Sequence, residues 1–162
     1  MKRSAQWRFL LLSLLLAALV WLAGTLQPAS AAELPPRLLA APWHGSYVCN
    51  QGLTRLQLTL RPLPGGGGRM EAEFVFAPDP DNPTVPTGSF RLTGSLDPQS
   101  GRLILKQDRW LSQPSDPSYR MVDLDGTLLL SDGQALIRGQ VTTYGCQDFA
   151  VWQFFSEVGV SR

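Results

Sequence analysis

The sequence predicts an all-β domain: an antiparallel meander of about eight strands, closed or nearly closed into a small barrel. Three observations support this fold class. Apolar and polar residues alternate over several segments, as Leu56, Leu58 and Leu60 do with their neighbours, which is typical of strands with one buried face. Short turn sequences such as Asp132-Gly133 separate these segments. No segment after residue 43 has an amphipathic helical pattern. Closing a meander of this length into a barrel removes its exposed edges.

The strands follow from the alternating segments and from the turns between them. They are expected near residues 45–50, 53–61, 69–77, 88–96, 102–107, 118–124, 126–130 with 135–142, and 148–155. The seventh segment, 126–130 with 135–142, can be one strand or two, because Ser131-Asp132-Gly133 interrupts it. Two proline-rich loops, at residues 78–86 and 112–118, are longer than a hairpin needs. Stiff loops of this kind suit binding at a barrel mouth, and the alternative is that they are spacers.

The first 31 residues have the three parts of a secretory signal peptide. Lys2, Arg3 and Arg8 supply positive charge, residues 9–23 are almost continuously apolar, and Ala29-Ser30-Ala31 is a small-residue cleavage site. The alternative is an uncleaved membrane anchor, since the apolar run extended to residue 26 approaches the ~20 residues of a membrane span. We therefore expect a protein exported to the periplasm or beyond the cell, with no stable membrane insertion after cleavage at Ala32.

The rest of the chain divides into three parts. Residues 32–42, rich in Pro, Ala and Leu, are expected to be a flexible lead-in; residues 43–155 form the single β domain; and residues 156–162 form a C-terminal tail. Three of the 14 basic residues lie in the signal peptide. The remaining chain has 11 basic residues against 13 acidic ones, a net charge near −2. This balance argues against nucleic acid as a partner and against electrostatic attachment to an anionic membrane.

The only two cysteines, Cys49 and Cys146, lie near the two ends of the predicted domain. In an oxidising compartment they are expected to form a disulfide. Closing a loop of about 100 residues is worth about 4–5 kcal/mol in the chain-entropy description. The alternative is two free, buried thiols. We predict no metal site, because two isolated cysteines with no neighbouring histidine do not make a zinc ligand set.

The sequence has few candidates for catalysis. The single histidine is His44, and there is no H-E-x-x-H pattern, no G-x-S-x-G pattern and no phosphate-binding glycine loop. Two carboxylate pairs at i, i+2 spacing, Glu71 with Glu73 and Asp123 with Asp125, are candidates for acid and base work in a small hydrolase. Alternation places the first pair on the solvent face of its strand. The leading interpretation is therefore a protein that is not an enzyme and has no cofactor.

Aromatic residues near the loops are better candidates for a binding surface. Trp110, with its neighbour Arg109, lies at a strand end just before a proline-rich loop, while Tyr119 comes just after that loop and Tyr144 lies in the last turn. Aromatic and arginine side chains carry much of the affinity of protein interfaces. We predict that these four residues contact a ligand or partner. Core packing is the alternative for each aromatic residue.

Several short patterns together resemble an uncharacterised bacterial exported domain. They are W-x-G-x-Y-x-C-x-Q-G at Trp43–Gly52, V-P-x-G-x-F at Val85–Phe90, the Arg109-Trp110 pair, Y-x-M-V-x-L-x-G at Tyr119–Gly126, and Gly145-Cys146. The likeness covers most of residues 43–155. It implies one domain over this range and a Cys49–Cys146 pair, and it implies no activity.

A second, shorter likeness concerns Tyr47-Val48-Cys49 with Gly52, which is similar to the start of C-type lysozyme inhibitors. Those exported small β-barrels block lysozyme with a serine-rich segment and a lysine-bearing loop. The matching S-G-x-x-Y and Lys-Gly segments are absent here, and Ser112–Tyr119 is the nearest stand-in. Gly45-Ser46-Tyr47 is also similar to lipocalin- and avidin-type barrels, which hold small ligands.

Taken together, these features predict an exported, non-enzymatic module that binds an unknown protein or small molecule. A periplasmic inhibitor of a lysozyme-type cell-wall hydrolase is the first alternative. A small hydrolase with a carboxylate pair is the second.

Overall fold

A computed structural model describes residues 36–39 and 41–154 of the chain. Each strand pairs antiparallel with the next, and the last pairs with the first, so the predicted meander barrel is confirmed. No helix within these residues is long and apolar enough to cross a membrane. The strands are β1 (Trp43–Cys49), β2 (Gly52–Pro62), β3 (Arg69–Ala77), β4 (Gly88–Leu96), β5 (Arg102–Ser112), β6 (Leu124–Ser131), β7 (Gln134–Val141) and β8 (Cys146–Phe154).

The period-two alternation places one apolar face of each strand inside the barrel. On β2 the side chains of Leu56, Leu58 and Leu60 are buried, as the sequence pattern predicts, and Thr54 continues the same face. Large aromatic side chains fill the space between the strands, and the rings of Phe74 and Phe90 stack with their centroids 4.5 Å apart. Burial of apolar surface at about 25 cal/mol per Å² is the main term that stabilises such a core. Because side chains occupy the interior, ligand contacts are to be sought at the surface.

The barrel closes where β8 meets β1. Cys49 and Cys146 are register partners across these two strands and are joined by the predicted disulfide, which spans 97 residues of sequence. Gly45 permits a close approach on the same seam, because a Cβ at this position would overlap the carbonyl oxygen of Ala150. A glycine inside a strand often marks such a close approach of another backbone. The first and last strands are thus held together both by a hydrogen-bonded ladder and by a covalent bond.

The two ends of the barrel differ. We call the end that carries residues 50–51, 78–87, 113–123 and 142–145 the loop end, because the long loops and the disulfide lie there. The opposite end, which we call the turn end, carries the connections at residues 63–68, 97–101 and 132–133, none longer than six residues.

Part of the predicted lead-in packs against the turn end. Pro36–Leu38 forms one 3₁₀ turn, and the Leu38 side chain is 1% exposed within the core. The indole Nε1 of Trp43 donates a hydrogen bond to the Leu38 carbonyl at 3.1 Å, and the Gln153 amide donates to the Ala41 carbonyl. The described part of the lead-in thus makes packing and hydrogen-bond contacts with the barrel.

Three strand assignments change in the structure. The strand expected at residues 102–107 continues to Ser112. The strand predicted at residues 118–124 is wrong, because residues 113–123 form an irregular loop and β6 begins at Leu124. Pro114 and Pro117 have no N–H to donate to a ladder, and the Asp116 carboxylate instead accepts the Ser118 N–H at 2.8 Å and forms a local turn. The segment left open as one strand or two is two strands, β6 and β7, joined at Asp132-Gly133 with Gly133 at φ 71°. The predicted signal peptide and the tail lie outside the described residues.

Candidate functional site

A cleft of about 410 Å³ opens at the loop end of the barrel. Its volume falls in the range of about 300–1,000 Å³ that is usual for ligand sites. Residues from the β1–β2 turn, the β5–β6 loop and the β7–β8 turn line it. The lining residues of this loop-end cleft are Tyr47, Cys49, Asn50, Gln51, Asp116, Ser118, Tyr119, Arg120, Val122, Thr143, Tyr144, Gly145 and Cys146.

Tyr47 lies at the bottom of the cleft. Its side chain is 4% exposed, and its ring contacts Phe74 edge to face at 5.2 Å. The Gln51 amide donates to the Tyr47 hydroxyl at 3.2 Å and to the Thr54 hydroxyl at 3.3 Å, so a polar group is fixed where the core meets the cleft. Burial raises the pKa of Tyr47 above its ordinary value. Tyr47, Gln51 and Thr54 thus form one small hydrogen-bonded group at the bottom of the cleft.

One wall of the cleft is built around the disulfide. Gly145 has φ 81°, and a Cβ there would overlap the side chain of Asn50, so the β7–β8 turn fits closely over the β1–β2 turn. The amide of Cys146 donates to the Thr143 carbonyl at 3.2 Å and closes the turn. Tyr144, at the tip of this turn, is 99% exposed. An aromatic ring is thus held in solvent on a backbone that the disulfide anchors.

The opposite wall is the irregular loop between β5 and β6. Tyr119 is half-buried, and its ring lies parallel to Phe76 with centroids 5.9 Å apart, which ties the loop to the core. Burial, followed by the negative charge of Asp116, raises the pKa of Tyr119. The Arg120 guanidinium donates to the Pro117 carbonyl, so it stabilises the loop while its side chain stays exposed.

A third loop holds the β1–β2 turn in place. The side-chain amide of Asn82 donates to the carbonyls of Gln51 at 2.6 Å and Leu53 at 3.0 Å. Asn82 lies in the proline-rich β3–β4 loop, in which the Asp79 carboxylate accepts the Asp81 N–H at 3.0 Å. This loop therefore fixes the edge of the cleft from outside.

The structure separates the four predicted contact residues into two groups. Tyr119 and Tyr144 both line the loop-end cleft. Trp110 is half-buried in the barrel and contacts Phe90 edge to face at 5.4 Å, and Arg109 is exposed on β5; neither lines the cleft. A role in binding stays a prediction for all four residues.

Sequence reasoning did not select several of the cleft residues, among them Tyr47, Asn50, Gln51 and Arg120. Two of them could have been found, because Tyr47 and Gln51 are fixed positions of the W-x-G-x-Y-x-C-x-Q-G pattern. Their shared location at the end of the first hairpin was the available signal.

The carboxylates considered for hydrolysis lie outside the loop-end cleft. Glu71 pairs with Arg91 at 3.1 Å on the outer face of the sheet. Asp123 accepts from the Lys106 ammonium at 3.1 Å and from the Gln107 N–H at 2.9 Å. Asp125 pairs with Arg102 at 3.1 Å. Each of these three carboxylates thus has a structural partner, and the interpretation that the protein is not an enzyme stays a prediction.

No group of three or more His, Cys, Asp or Glu side chains in residues 36–39 and 41–154 is placed to hold a metal ion. The segment Ser112–Tyr119, which stands in for the serine-rich segment of lysozyme inhibitors, runs along the loop end with Ser115 and Ser118 exposed. Comparison with protein-family models, with curated proteins and with solved structures found no match to this chain.

Proposed function

We propose that this protein is an exported, non-enzymatic binding module that contacts its partner through the loop-end cleft. One observation carries the proposal: Tyr119 and Tyr144 lie in one cleft with the amide side chains of Asn50 and Gln51, on a frame that the Cys49–Cys146 disulfide holds. Tyrosine rings supply large contact areas at a low entropic cost, and amides supply hydrogen bonds to a polar partner.

Rigidity of the cleft favours binding. Association costs conformational entropy at every side chain and loop that becomes ordered, and a preformed surface reduces that cost. Here the disulfide fixes one wall, Asn82 fixes the β1–β2 turn, and the Tyr119 ring anchors the other wall on Phe76. The fully exposed ring of Tyr144 gains the most from being covered, because it has the most water to release.

Export is supported by two features. The N-terminal segment has the charge, apolar run and cleavage site of a signal peptide, and disulfides persist mainly in oxidising compartments. The partner is therefore a protein or a small molecule of the periplasm or the cell exterior. The slightly acidic balance of the chain after the signal peptide does not suit a nucleic acid.

The test begins by identifying the partner. A photo-crosslinking amino acid at position 144, in protein exported by its own cells, is irradiated, and the covalent product is identified by mass spectrometry. The purified partner is then titrated against the unsubstituted protein and its variants. Tyr144→Ala and Arg120→Ala should each weaken binding about tenfold, a typical effect at an interface contact. Both side chains are exposed, so neither change disturbs the core; Arg120→Ala also removes the hydrogen bond to the Pro117 carbonyl, so Tyr144→Ala is the cleaner of the two tests.

Phe154→Ala is the matched control, because Phe154 is an aromatic side chain that is 75% exposed near the turn end. This variant should bind like the unsubstituted protein. If Phe154→Ala weakens the complex while Tyr144→Ala and Arg120→Ala leave it unchanged, the loop-end cleft is not the binding surface.

One protein partner has an assay of its own. Three residues of the Ser112–Tyr119 segment, Asp116, Ser118 and Tyr119, line the loop-end cleft, as an inhibitory loop would have to. If the partner is a lysozyme-type hydrolase, micromolar amounts of the protein slow the lysis of peptidoglycan, and Arg120→Ala weakens this effect. Undiminished lysis at that concentration removes the inhibitor interpretation and leaves other partners to be tested.

A further inference from the structure

A second concave surface lies on the outside of the barrel, away from the loop-end cleft. This outer-wall groove has a volume of about 540 Å³ and lies across β8, β1, β2 and β3. It shares no lining residue with the loop-end cleft. The side chains that give it chemical character are His44, Ser46, Arg55, Gln57, Asp79 and Trp152.

Strand register explains why these side chains meet. Trp152 pairs with His44, and His44 pairs with Gln57, so these three residues form a row across three strands on the outer face. In the next row, Ser46 pairs with Arg55, which pairs with Ala77. The small side chains of Ser46 and Ala77 leave space that the larger row and the loop residue Asp79 enclose.

The charges of the groove are balanced. Arg55 Nε and Asp79 Oδ2 are 3.8 Å apart, which is beyond hydrogen-bond distance, so the Arg55 donors and Asp79 Oδ2 remain available to a ligand, while Asp79 Oδ1 accepts the Asp81 N–H. An anionic ligand would meet the Asp79 carboxylate, and a cationic ligand would meet the Arg55 guanidinium. A neutral ligand whose groups both donate and accept is complementary to this pair and to the amide of Gln57.

Trp152 adds an apolar, aromatic wall. Its side chain is 37% exposed, although an indole ring gains from burial and usually finds cover in a folded protein. A pyranose ring has hydroxyl groups around its edge and apolar C–H groups on its faces. It can therefore pack a face against an indole while its hydroxyls reach the polar groups beside it.

We propose that the outer-wall groove binds a neutral saccharide, with Trp152 against the sugar ring and with Arg55, Asp79 and Gln57 bonded to its hydroxyls. This site is independent of the partner contacts at the loop end. If the protein is exported to the cell envelope, the groove can contact glycan there while the loop-end cleft contacts the partner.

The test uses protein expressed from its full-length gene and recovered as the cell exports it. The probes are neutral trisaccharides of N-acetylglucosamine, of β-linked glucose and of α-linked glucose as in maltose. Binding is followed by heteronuclear NMR at sugar concentrations up to about 10 mM, at which a site with a Kd near 1 mM is largely filled. At least one neutral trisaccharide should shift the side-chain signals of Trp152 and Gln57. Trp152→Ala and Gln57→Ala should each lower the affinity about tenfold or more, with unchanged backbone spectra elsewhere.

Tyr144→Ala is the control, and it should leave saccharide binding unchanged because Tyr144 belongs only to the loop-end cleft. The proposal is overturned if no neutral trisaccharide binds, or if binding survives both Trp152→Ala and Gln57→Ala. It is also overturned if a uronic acid trimer binds more tightly than the neutral sugars. Loss of binding in Tyr144→Ala would place the sugar in the loop-end cleft and would likewise contradict the assignment.

Discussion

Removal of the disulfide has an effect on stability that can be worked out from the sequence separation of its cysteines. The bond closes a loop of 97 residues between the first and last strands of the barrel. In the chain-entropy description, a crosslink over about 100 residues destabilises the unfolded ensemble by about 4.7 kcal/mol. For a domain of this size, this corresponds to a fall in Tm of roughly 20 °C. We expect the variant with both Cys49→Ala and Cys146→Ala to lose most of the contribution of about 4.7 kcal/mol to the free energy of unfolding. The variant should still fold, because the β1–β8 ladder remains.

The assay is urea unfolding followed by tryptophan fluorescence and by circular dichroism. It compares oxidised protein, protein with reductant and the doubly substituted variant. Reduced protein and the variant should agree within about 0.5 kcal/mol, since both lack the same crosslink. Hydrogen exchange should rise first at residues 50–51 and 142–146, which the bond anchors. If the free energy of unfolding falls by less than about 1 kcal/mol, the bond does not act mainly by restraining the unfolded chain.

Three further predictions concern single side chains. Leu38→Ala should cost about 2–4 kcal/mol in urea unfolding, since Leu38 is buried at the turn end, whereas Leu53→Ala, at an exposed position, should cost little; equal small losses would mean that the lead-in is not docked. Asn82→Ala removes two hydrogen bonds to the β1–β2 strand pair and should cost about 1–2 kcal/mol with faster amide exchange at residues 50–53; unchanged exchange would contradict the anchoring role. Because burial raises the pKa of Tyr47, the native state disfavours its ionised form. The contribution of Tyr47 to stability is full below its ordinary pKa of 10.0 and falls as the pH rises above that value. Tyr47→Phe should flatten this alkaline fall in a pH series of unfolding curves, and an identical slope in the two proteins would show that Tyr47 is not its source.

Much of the barrel is predictable because a strand with one buried face requires apolar and polar residues to alternate along the sequence. Leu56, Leu58 and Leu60 show that period, and the Asp132-Gly133 turn is local chemistry that needs no knowledge of the partner strand. Apolar and polar residues also alternate over residues 118–124, so the pattern wrongly predicts a strand in this segment. Whether a segment joins a ladder depends on its neighbour, and β6 pairs with β5 only from Arg102 to Leu105.

The candidate site is only partly predictable. Tyr119 and Tyr144 lie next to recognisable loop and turn residues, so their place at one end of the barrel follows from the meander. Trp110 has the same sequence surroundings, but register shifts in the β4–β5 pair bring it opposite Phe90 and into the barrel. The alternation of apolar and polar residues that begins at Leu103 gives no indication of such a shift, because the shift depends on the pairing with β4.

Other features needed the three-dimensional register before they could be seen. The outer-wall groove joins His44, Gln57 and Trp152 through two strand pairings, and no local pattern relates residues so far apart in the chain. Leu38 lies in a Pro- and Ala-rich segment without a period, so its burial at the turn end has no sequence signal.

Whether the partner binds at the loop end can be measured by hydrogen–deuterium exchange of the free protein and of its complex with the partner identified by crosslinking. Protection should rise in segments 50–51, 116–122 and 143–146, which supply most of the cleft lining, and stay unchanged at residues 63–68 and 97–101 of the turn end. Protection confined to the turn end, with free exchange around Tyr144, would contradict binding at the loop end.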